Sequence, residues 1–315
     1  MIRVLIRRLG LLAITLLIAS AFVFALTTLL PGDTARLILG RDARPEALEA
    51  LRAELGLDQP VVTQYVNWLT SYVSGDWGRA FTGGSAQVRP LVLERLGNSM
   101  QLAFLALLIS VPLSVTLGTL AGLRENKTTD AVISVGSLAI VGLPEFVTSL
   151  VLIAVFARGL GWFPASSTAP DITDPGAWLR NLLLPALAAS FVLIAYIVRM
   201  TRAGVIEELR KPYVRTAVLK GLPYRTVIIK HVLRNALLPT ITIIALSFGW
   251  LIGGLVVIEN VFNYPGLGRL MTAAVERKDI PLLQASVMTV IFIFAFANLL
   301  ADLIYSLLNP RIRFE

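Results

Sequence analysis

The 315-residue sequence contains no cysteine and a single histidine, His231. Without cysteine there is no disulfide and no thiolate metal site, and one imidazole cannot build a cluster of histidine ligands within the chain. Charge is scarce as well. Charged residues make up 15% and hydrophobic ones 56%, whereas soluble domains carry about 25% and about 45–50%. That balance excludes an ordinary soluble domain. Signatures of catalysis are missing too, with neither HExxH nor GxSxG present. The segment from Gly122 to Thr128 shares a glycine and a Lys127-Thr128 pair with phosphate-binding loops. It lacks the glycine before the lysine, and it joins two apolar segments instead of following a strand. Neither enzymatic chemistry nor a cofactor is expected in this chain.

What the sequence does have is long apolar runs. A bilayer core takes about 20 predominantly apolar residues per helix, and six segments qualify: 9–30, 99–123, 131–157, 182–200, 236–258 and 282–308. The expected fold class is an all-α polytopic membrane protein with six transmembrane helices. The net charge of +8 sits on the short loops between the runs, as the positive-inside bias requires, so nucleic acid is not an expected partner. Arg3, Arg7 and Arg8 precede the first run, Arg124 and Lys127 lie between the second and third, and Arg311 and Arg313 follow the last. The loop from Arg199 to Arg234 is strongly basic, with only Glu207 and Glu208 opposing. With six spans all of these fall on one side. Both termini are therefore expected in the cytoplasm, with the chain in the inner membrane of a prokaryote. The first run resembles a signal peptide with Ala19-Ser20-Ala21 as its cleavage site, but it continues to Leu30, long enough to span.

The domain plan follows from the runs. Residues 1–30 form the N-terminus and first span, 31–97 an extracytoplasmic helical cap, 98–310 a five-helix core with a cytoplasmic loop at 201–235, and 311–315 a cytoplasmic tail. Within the cap, Pro45 to Leu55 reads as an amphipathic helix with Leu48, Leu51 and Leu55 on one face. A second helix follows Pro60, with Tyr65, Trp68, Leu69 and Tyr72 at helical spacing, and Gly75-Asp76-Trp77-Gly78 ends it as a turn. The cap is expected to pack on the ends of the spans.

Two places point to function. The loop from Tyr213 to Pro239 reads as a short helix, a turn at Gly221 and a second short helix, a compact knob between two spans. Gly221 suits a left-handed cap, and the small Ala217 is expected to let the knob sit close in a partner's groove. The same composition also fits a basic loop held at anionic headgroups. Glu145 is the other. It follows Pro144 near the middle of the third run, where an ionised side chain costs several kcal/mol. Either it is a neutral or hydrogen-bonded carboxyl in a helix contact, or it lines a water-filled path with Pro144 and Phe146. Gly249, Gly253 and Gly254 give the fifth span a small-residue face. Asn298 and Asp302 read as a buried polar link. Glu259 and Asn260 fall at the outer mouth, where a gate or docking role suits them.

The motifs, in their order, resemble a B-type permease subunit of the dipeptide/oligopeptide/nickel family of ABC importers. Leu30-Pro31-Gly32-Asp33 is similar to that family's LPGDP, with Thr34 in place of the proline. Leu51-Arg52 and Leu55-Gly56-Leu57-Asp58-Gln59-Pro60 match LR…LGLDxP, and Gly75-Asp76-Trp77-Gly78 matches GDLG. Glu259-Asn260-Val261-Phe262 with Tyr264-Pro265-Gly266-Leu267-Gly268 match ExVFxxPGLG. Asp302-Leu303-Ile304-Tyr305 and Asn309-Pro310-Arg311-Ile312-Arg313 match DLxYxxxDPRIR, with Asn309 for aspartate. In the knob, Arg215-Thr216-Ala217 stands at the general EAA position and Gly221 at its glycine, while the Leu-Pro pair comes late, at Leu238-Pro239. Val218-Leu219 and Lys211-Pro212 depart from the family pattern. The resemblance implies a type I ABC-importer permease fold, with Arg215, Thr216, Ala217, Lys220 and Gly221 contacting an ATPase. It also implies a second permease subunit, two ATPase subunits that bind ATP and Mg, and an extracytoplasmic substrate-binding protein. Peptides are the expected cargo, with glutathione, a nickel chelate or an oligosaccharide as alternatives. A secondary transporter or channel is the rival class. An inverted repeat would favour it, and none is convincing in this sequence.

Overall fold

The computed structural model describes residues 2–29, 34–39, 43–54, 56–81, 86–167 and 173–308. The Leu30-to-Asp33 motif, Leu55 and the segment from Asn309 onward, including Arg311 and Arg313, lie outside the described residues. Among the described residues the architecture is helical, with one isolated bridge between Arg79 and Gln87. The helices are α1 (Ile2–Thr28), α2 (Thr34–Leu39), α3 (Pro45–Glu54), α4 (Val61–Ser74), α5 (Val88–Leu123), α6 (Thr128–Val141) and α7 (Glu145–Leu152). They continue as α8 (Pro175–Leu209), α9 (Pro212–Leu219), α10 (Tyr224–Thr226), α11 (Leu233–Ala236), α12 (Leu238–Gly254), α13 (Val256–Val261), α14 (Leu267–Glu276) and α15 (Ile280–Leu308). Wide π-helical turns extend α7 over Ile153–Gly159 and join α10 to α11 over Val227–Val232.

Four helices, α1, α5, α8 and α15, are long and apolar enough to cross a membrane. Two bent pairs bring the number to six if each is counted as one span. Thr128–Val141 and Glu145–Gly159 meet at 102°, and Tyr224–Ala236 and Leu238–Gly254 at 49°. The sequence predicts a kink at Pro144 within one helix; the structure has a full break there. Pro144 carries no N–H and disfavours helical geometry at Leu143 before it. It adopts φ −59°, ψ 141° as the cap of α7. Glu145 therefore opens a helix instead of sitting in the middle of one.

The chain divides into two compact units, residues 1–99 with 265–295, and 100–264 with 296–315. In the first, Val88 and Val92 of α5 share an apolar core with Leu267 and Ala274 of α14 and with Leu282, Leu283 and Ala285 of α15. Asn98 Nδ2 donates to the Pro265 carbonyl at 2.8 Å, and Ser99 Oγ accepts from the Leu267 amide at 2.8 Å. These bonds satisfy backbone groups at the start of α14. The α4 helix packs on α1, and it sits lower than a cap on helix ends. Tyr65 Oη is 2.8 Å from Ser20 Oγ, well inside α1.

The second unit is organised on α8, which packs against α6, α7, α11, α12 and α13. Its seam with α5 is made of small residues four apart: Ala106, Ser110, Ser114, Gly118 and Gly122. Ser190 Oγ reaches the Ala106 carbonyl at 3.0 Å, and Ser114 Oγ reaches the Ile194 carbonyl at 3.4 Å. A Cβ on Gly118 would lie 2.6 Å from Thr201 Cβ and 2.7 Å from the Val198 carbonyl oxygen, and one on Gly122 2.7 Å from Val205 Cβ. On another face, a Cβ on Gly204 would lie 2.4 Å from the Ala236 carbonyl oxygen. Gly118, Gly122 and Gly204 thus make close approaches on α5 and α8. On α12, Gly253 is exposed and a Cβ on Gly254 would make only ordinary contact with Trp250. Asp302 is exposed and Asn298 half-buried.

A polar clasp ties α6 to α8. Arg202 donates from Nε and Nη2 to the two oxygens of Asp130 at 2.5 and 2.7 Å. Asp130 also accepts from the Asn126 amide at 3.0 Å and Ser134 Oγ at 3.1 Å. A buried carboxylate held by a bidentate arginine and two further donors is fully compensated.

Adding one carbon at Gly204 must push a backbone carbonyl, so Gly204→Ala should cost about 1–3 kcal/mol. Gly136→Ala, with nothing within 4 Å, should be harmless. The thermal midpoint of the detergent-solubilised protein should fall for the first and hold for the second; equal midpoints would contradict the close approach.

Candidate functional site

The knob begins where α8 ends. Pro212 starts α9, because its fixed φ suits a first helical position. The helix stops at a left-handed glycine: Gly221 has φ +76°, its amide donates to the Val218 carbonyl at 2.9 Å, and the Leu222 amide donates to the Ala217 carbonyl at 3.4 Å. These two bonds are those of a Schellman cap. A Cβ on Gly221 would meet nothing within 4 Å, so glycine is favoured there by backbone conformation alone. Pro223 then caps α10, and the π-helical turn carries the chain to α11.

The knob has its own apolar core. Val214, Ala217, Val227, Ile228, Val232 and Ala236 are buried together with Val205 of α8. Ala217 is 8% exposed. The expectation that its small side chain faces a partner groove is therefore corrected: it is small because it packs inside the knob. Arg215, Thr216, Lys220 and Gly221 are on the surface. The tip is apolar as well as basic. Val218, Tyr224 and Ile229 are exposed there, and Leu219 is 78% exposed, in the company of Arg215, Lys220, Arg225 and Lys230.

The base is held by a network centred on Glu208. Its carboxylate accepts from Lys211 Nζ and from Tyr213 Oη, the latter at 2.5 Å. Asn235 Nδ2 donates to Tyr213 Oη at 3.2 Å and to the His231 carbonyl at 3.3 Å. The hydrogen bond to Glu208 holds the Lys211 ammonium above the ordinary lysine value. Burial pushes the Tyr213 phenol up, and its bond to Glu208 adds to this. Arg210 pairs with Glu125 at 2.7 Å, tying the knob's root to the loop between α5 and α6. A cleft of about 360 Å³ opens beside this base, lined by Gly204, Glu207, Glu208, Lys211, Asn235 and Pro239 among others. In the sequence Glu208, Arg202 and Arg210 stand out only as charges of a basic loop. Glu208 and Lys211 at i, i+3 was a readable signal; the long-range partners of Arg202 and Arg210 had none.

At the other candidate, Pro144 and Phe146 are exposed and Glu145 is half-buried. The Glu145 carbonyl accepts from Thr148 Oγ1 at 2.9 Å and Ser149 Oγ at 2.7 Å. No side-chain partner of its carboxylate is found among the described residues. An acid in the first turn is favoured by the helix dipole. The helix it heads, α7, packs against α8 and against α13, which carries Glu259 and Asn260. The structure thus sets Glu145 and the Glu259–Asn260 pair on neighbouring elements. Glu259 is wholly buried, not on an open mouth, and Asn260 Nδ2 donates to the Val256 carbonyl at 2.7 Å. The Tyr264 amide donates to the Glu259 carbonyl at 2.8 Å. Among the described residues no group of three or more His, Asp or Glu is placed to hold a metal.

Known proteins resemble this chain in sequence and in fold. Residues 114–314 match the family model described as binding-protein-dependent transport system inner membrane component, and residues 1–102 match the model of its N-terminal part. A putative peptide transport system permease protein of Brucella abortus is 39% identical over 302 residues, 95% of each chain. A probable peptide ABC transporter permease of Sinorhizobium fredii is 36% identical over 93% of each. The glutathione transport system permease protein of Escherichia coli K12 is 35% identical over 98% of each. Among solved structures, the crystal structure of an amino acid ABC transporter with histidines aligns at TM-score 0.51 and 18% identity. It covers 71% of this chain and 94% of that one, a likeness of fold.

The left-handed cap makes a discriminating pair of variants. Gly221→Val places a β-branched residue at positive φ, at a cost of about 1–3 kcal/mol, and should distort the knob. Gly221→Asn, which tolerates that region, should leave it intact. Transport in cells at matched membrane levels should fall for valine and survive for asparagine.

Proposed function

The chain belongs to the binding-protein-dependent transport system inner membrane components, as a B-type permease of the dipeptide/oligopeptide/nickel importers, and from that premise we propose that it forms half of the translocation path of an ATP-driven peptide importer. The observation that carries the reading is the knob, a braced body with its own core and an apolar, basic tip. A permease must pass a rigid-body movement from a soluble motor to its helices, and a braced knob loses little displacement to internal bending. Its core shares Val205 with α8, whose 35 residues reach about 50 Å at 1.5 Å per residue. Movement at the tip would be delivered along α8 to α7 and α13, which pack on it.

On this reading the exposed tip docks on one of two ATPase subunits, which bind the ATP and Mg that this chain has no motif to hold. A second, related permease completes the path, and an extracytoplasmic binding protein supplies the cargo. Both termini and the knob face the cytoplasm, as the basic loops favour. Peptide cargo is supported by the relatives named as peptide permeases; the relative named for glutathione, itself a small peptide, makes that tripeptide the second reading. Purifying the cognate binding protein and identifying its bound ligand by mass spectrometry tests the cargo directly.

Topology is tested by reporter fusions. Those after Lys127 and Lys220 should be cytoplasmic and those near Gly161 and Lys278 external. Gly161 decides the broken pair: a cytoplasmic reporter there would make α6 and α7 a re-entrant loop and overturn the six-span reading.

Glu145 is proposed to face the path as an anion and to meet the cargo's amino terminus. In Glu145→Gln the complex should assemble while transport changes, most for cationic peptides. Uptake of neutral and cationic peptides at matched membrane levels is the measurement. Identical uptake of every cargo would return Glu145 to a structural role.

A further inference from the structure

One surface remains uncovered that the permease reading does not use. The α4 helix, Val61–Ser74, carries no charged residue, and its two faces are cleanly separated. Tyr65, Trp68 and Tyr72 pack inward: Phe24 of α1 meets the rings of Tyr65 at 5.5 Å and Trp68 at 5.7 Å, and Tyr72 stacks on Trp77 at 4.9 Å. Beside them Val62, Val66, Leu69 and Val73 line up at helical spacing. Val62 and Val73 are about three-quarters exposed, and Val66 about half. The remaining arc is hydroxyl and amide: Thr63, Gln64, Asn67, Thr70, Ser71 and Ser74.

The depth of this helix identifies what covers the valines. Gln284 Nε2 of α15 donates to Thr27 Oγ1 of α1 at 2.7 Å, which sets a common level near the ends of both helices. Tyr65 Oη reaches Ser20 Oγ, and Tyr72 packs on the core that holds Leu282, Leu283 and Ala285 of α15. Ser20 lies about 10 Å beyond that level, at 1.5 Å per residue. Both ends of α4 are thus anchored on apolar helices, Tyr65 well below the end of α1, so α4 lies across them instead of above them. A bilayer leaflet's apolar half is about 15 Å deep. The exposed face of α1 is apolar too, with Ile14, Ile18, Phe22 and Leu26 at least half exposed. Polar groups on α4 are satisfied locally: Thr70 Oγ1 donates to the Val66 carbonyl, Asn67 Nδ2 to Gln59 Oε1, and Gln64 Nε2 to the Gln59 carbonyl. A water-borne partner would have to reach below the ends of the spans and would find no charge to pair with.

We propose that α4 lies in the plane of the bilayer, in the leaflet where α1 ends, with Val62, Val66 and Val73 against acyl chains and its hydroxyl and amide arc toward the headgroups. The proposal rests on α1 and α15 spanning the membrane. At 14 residues α4 is too short to span, and an apolar face beside a polar one is the pattern of a helix that lies in the interface. Lipid contact then replaces water over three valines and holds the first span to the last.

The chain has no cysteine, so single cysteines can be spin-labelled cleanly in the full permease, reconstituted with its partner subunits in phosphatidylethanolamine–phosphatidylglycerol liposomes. At Val62→Cys, Val66→Cys and Val73→Cys, collisions with oxygen should be frequent and collisions with a water-soluble nickel chelate lost. At Thr63→Cys and Thr70→Cys nickel collisions should persist. Nickel access at the valine positions equal to that at the threonines would put the stripe in water and overturn the proposal. Loss of both oxygen and nickel would mean a protein covers it, the second permease subunit first, and would overturn it equally. Ile18→Cys is the control for the premise: nickel access there would remove the spanning reading of α1 itself.

Discussion

The second unit depends on how closely other backbones can approach α8. Between helices surrounded by lipid there is no water to expel, so association rests on contact and on interhelical hydrogen bonds. Contact is greatest where side chains are smallest. The stripe from Ala106 to Gly122 brings α5 against α8, and Gly204 brings α11 to within a carbonyl's breadth of it. Asp130 and Arg202 add a directional tie at the same end of α8. With three neighbours held so near, α8 has little freedom to slide. The knob that emerges from its end inherits a fixed root.

Much of this was legible from residue types. The apolar runs located α1, α5, α8 and α15, because length and hydropathy are what a bilayer selects. Gly221 was legible because only one backbone conformation explains a glycine between two short basic helices. The break at Pro144 was half legible: proline marks the place, but whether a helix kinks or turns through 102° depends on what packs on either side. The seam glycines had a signal that was passed over, since Gly118 and Gly122 stand four apart within a span. Gly249, Gly253 and Gly254 are denser in sequence, but Gly253 is exposed and a Cβ on Gly254 would make only ordinary contact. Ala217 was expected to face outward because a small side chain suits a close contact. Which side of the knob an alanine faces is decided by the core it shares with Val227 and Val232, and those contacts span a loop. The depth of α4 was out of reach, since it rests on Tyr65 meeting Ser20 across 45 residues.

The knob and the Glu145 region differ in their mechanics. At the knob, hydrogen bonds converge on Glu208, and apolar residues fill the interior, so shape is conserved under load. Around Glu145 the chain is interrupted: a cap, a sharp turn, and a short helix against α8 and α13. Stiffness is concentrated at the end of α8 from which the knob emerges, and the break at Pro144 lies on elements packed against the same helix.

The shared core of the knob has one more consequence. Val205 belongs to α8, yet it is buried with Val214, Val227 and Ala236, so the knob cannot unfold without uncovering the end of the bundle's central helix. Its amides should open only in the same cooperative event as that end of α8, with a free energy set by the bundle and not by the loop. A segment this rich in lysine and arginine would, as a loose loop, offer itself to trypsin-like proteases. Folded into the same cooperative unit as α8, it stays closed to them for as long as the bundle holds.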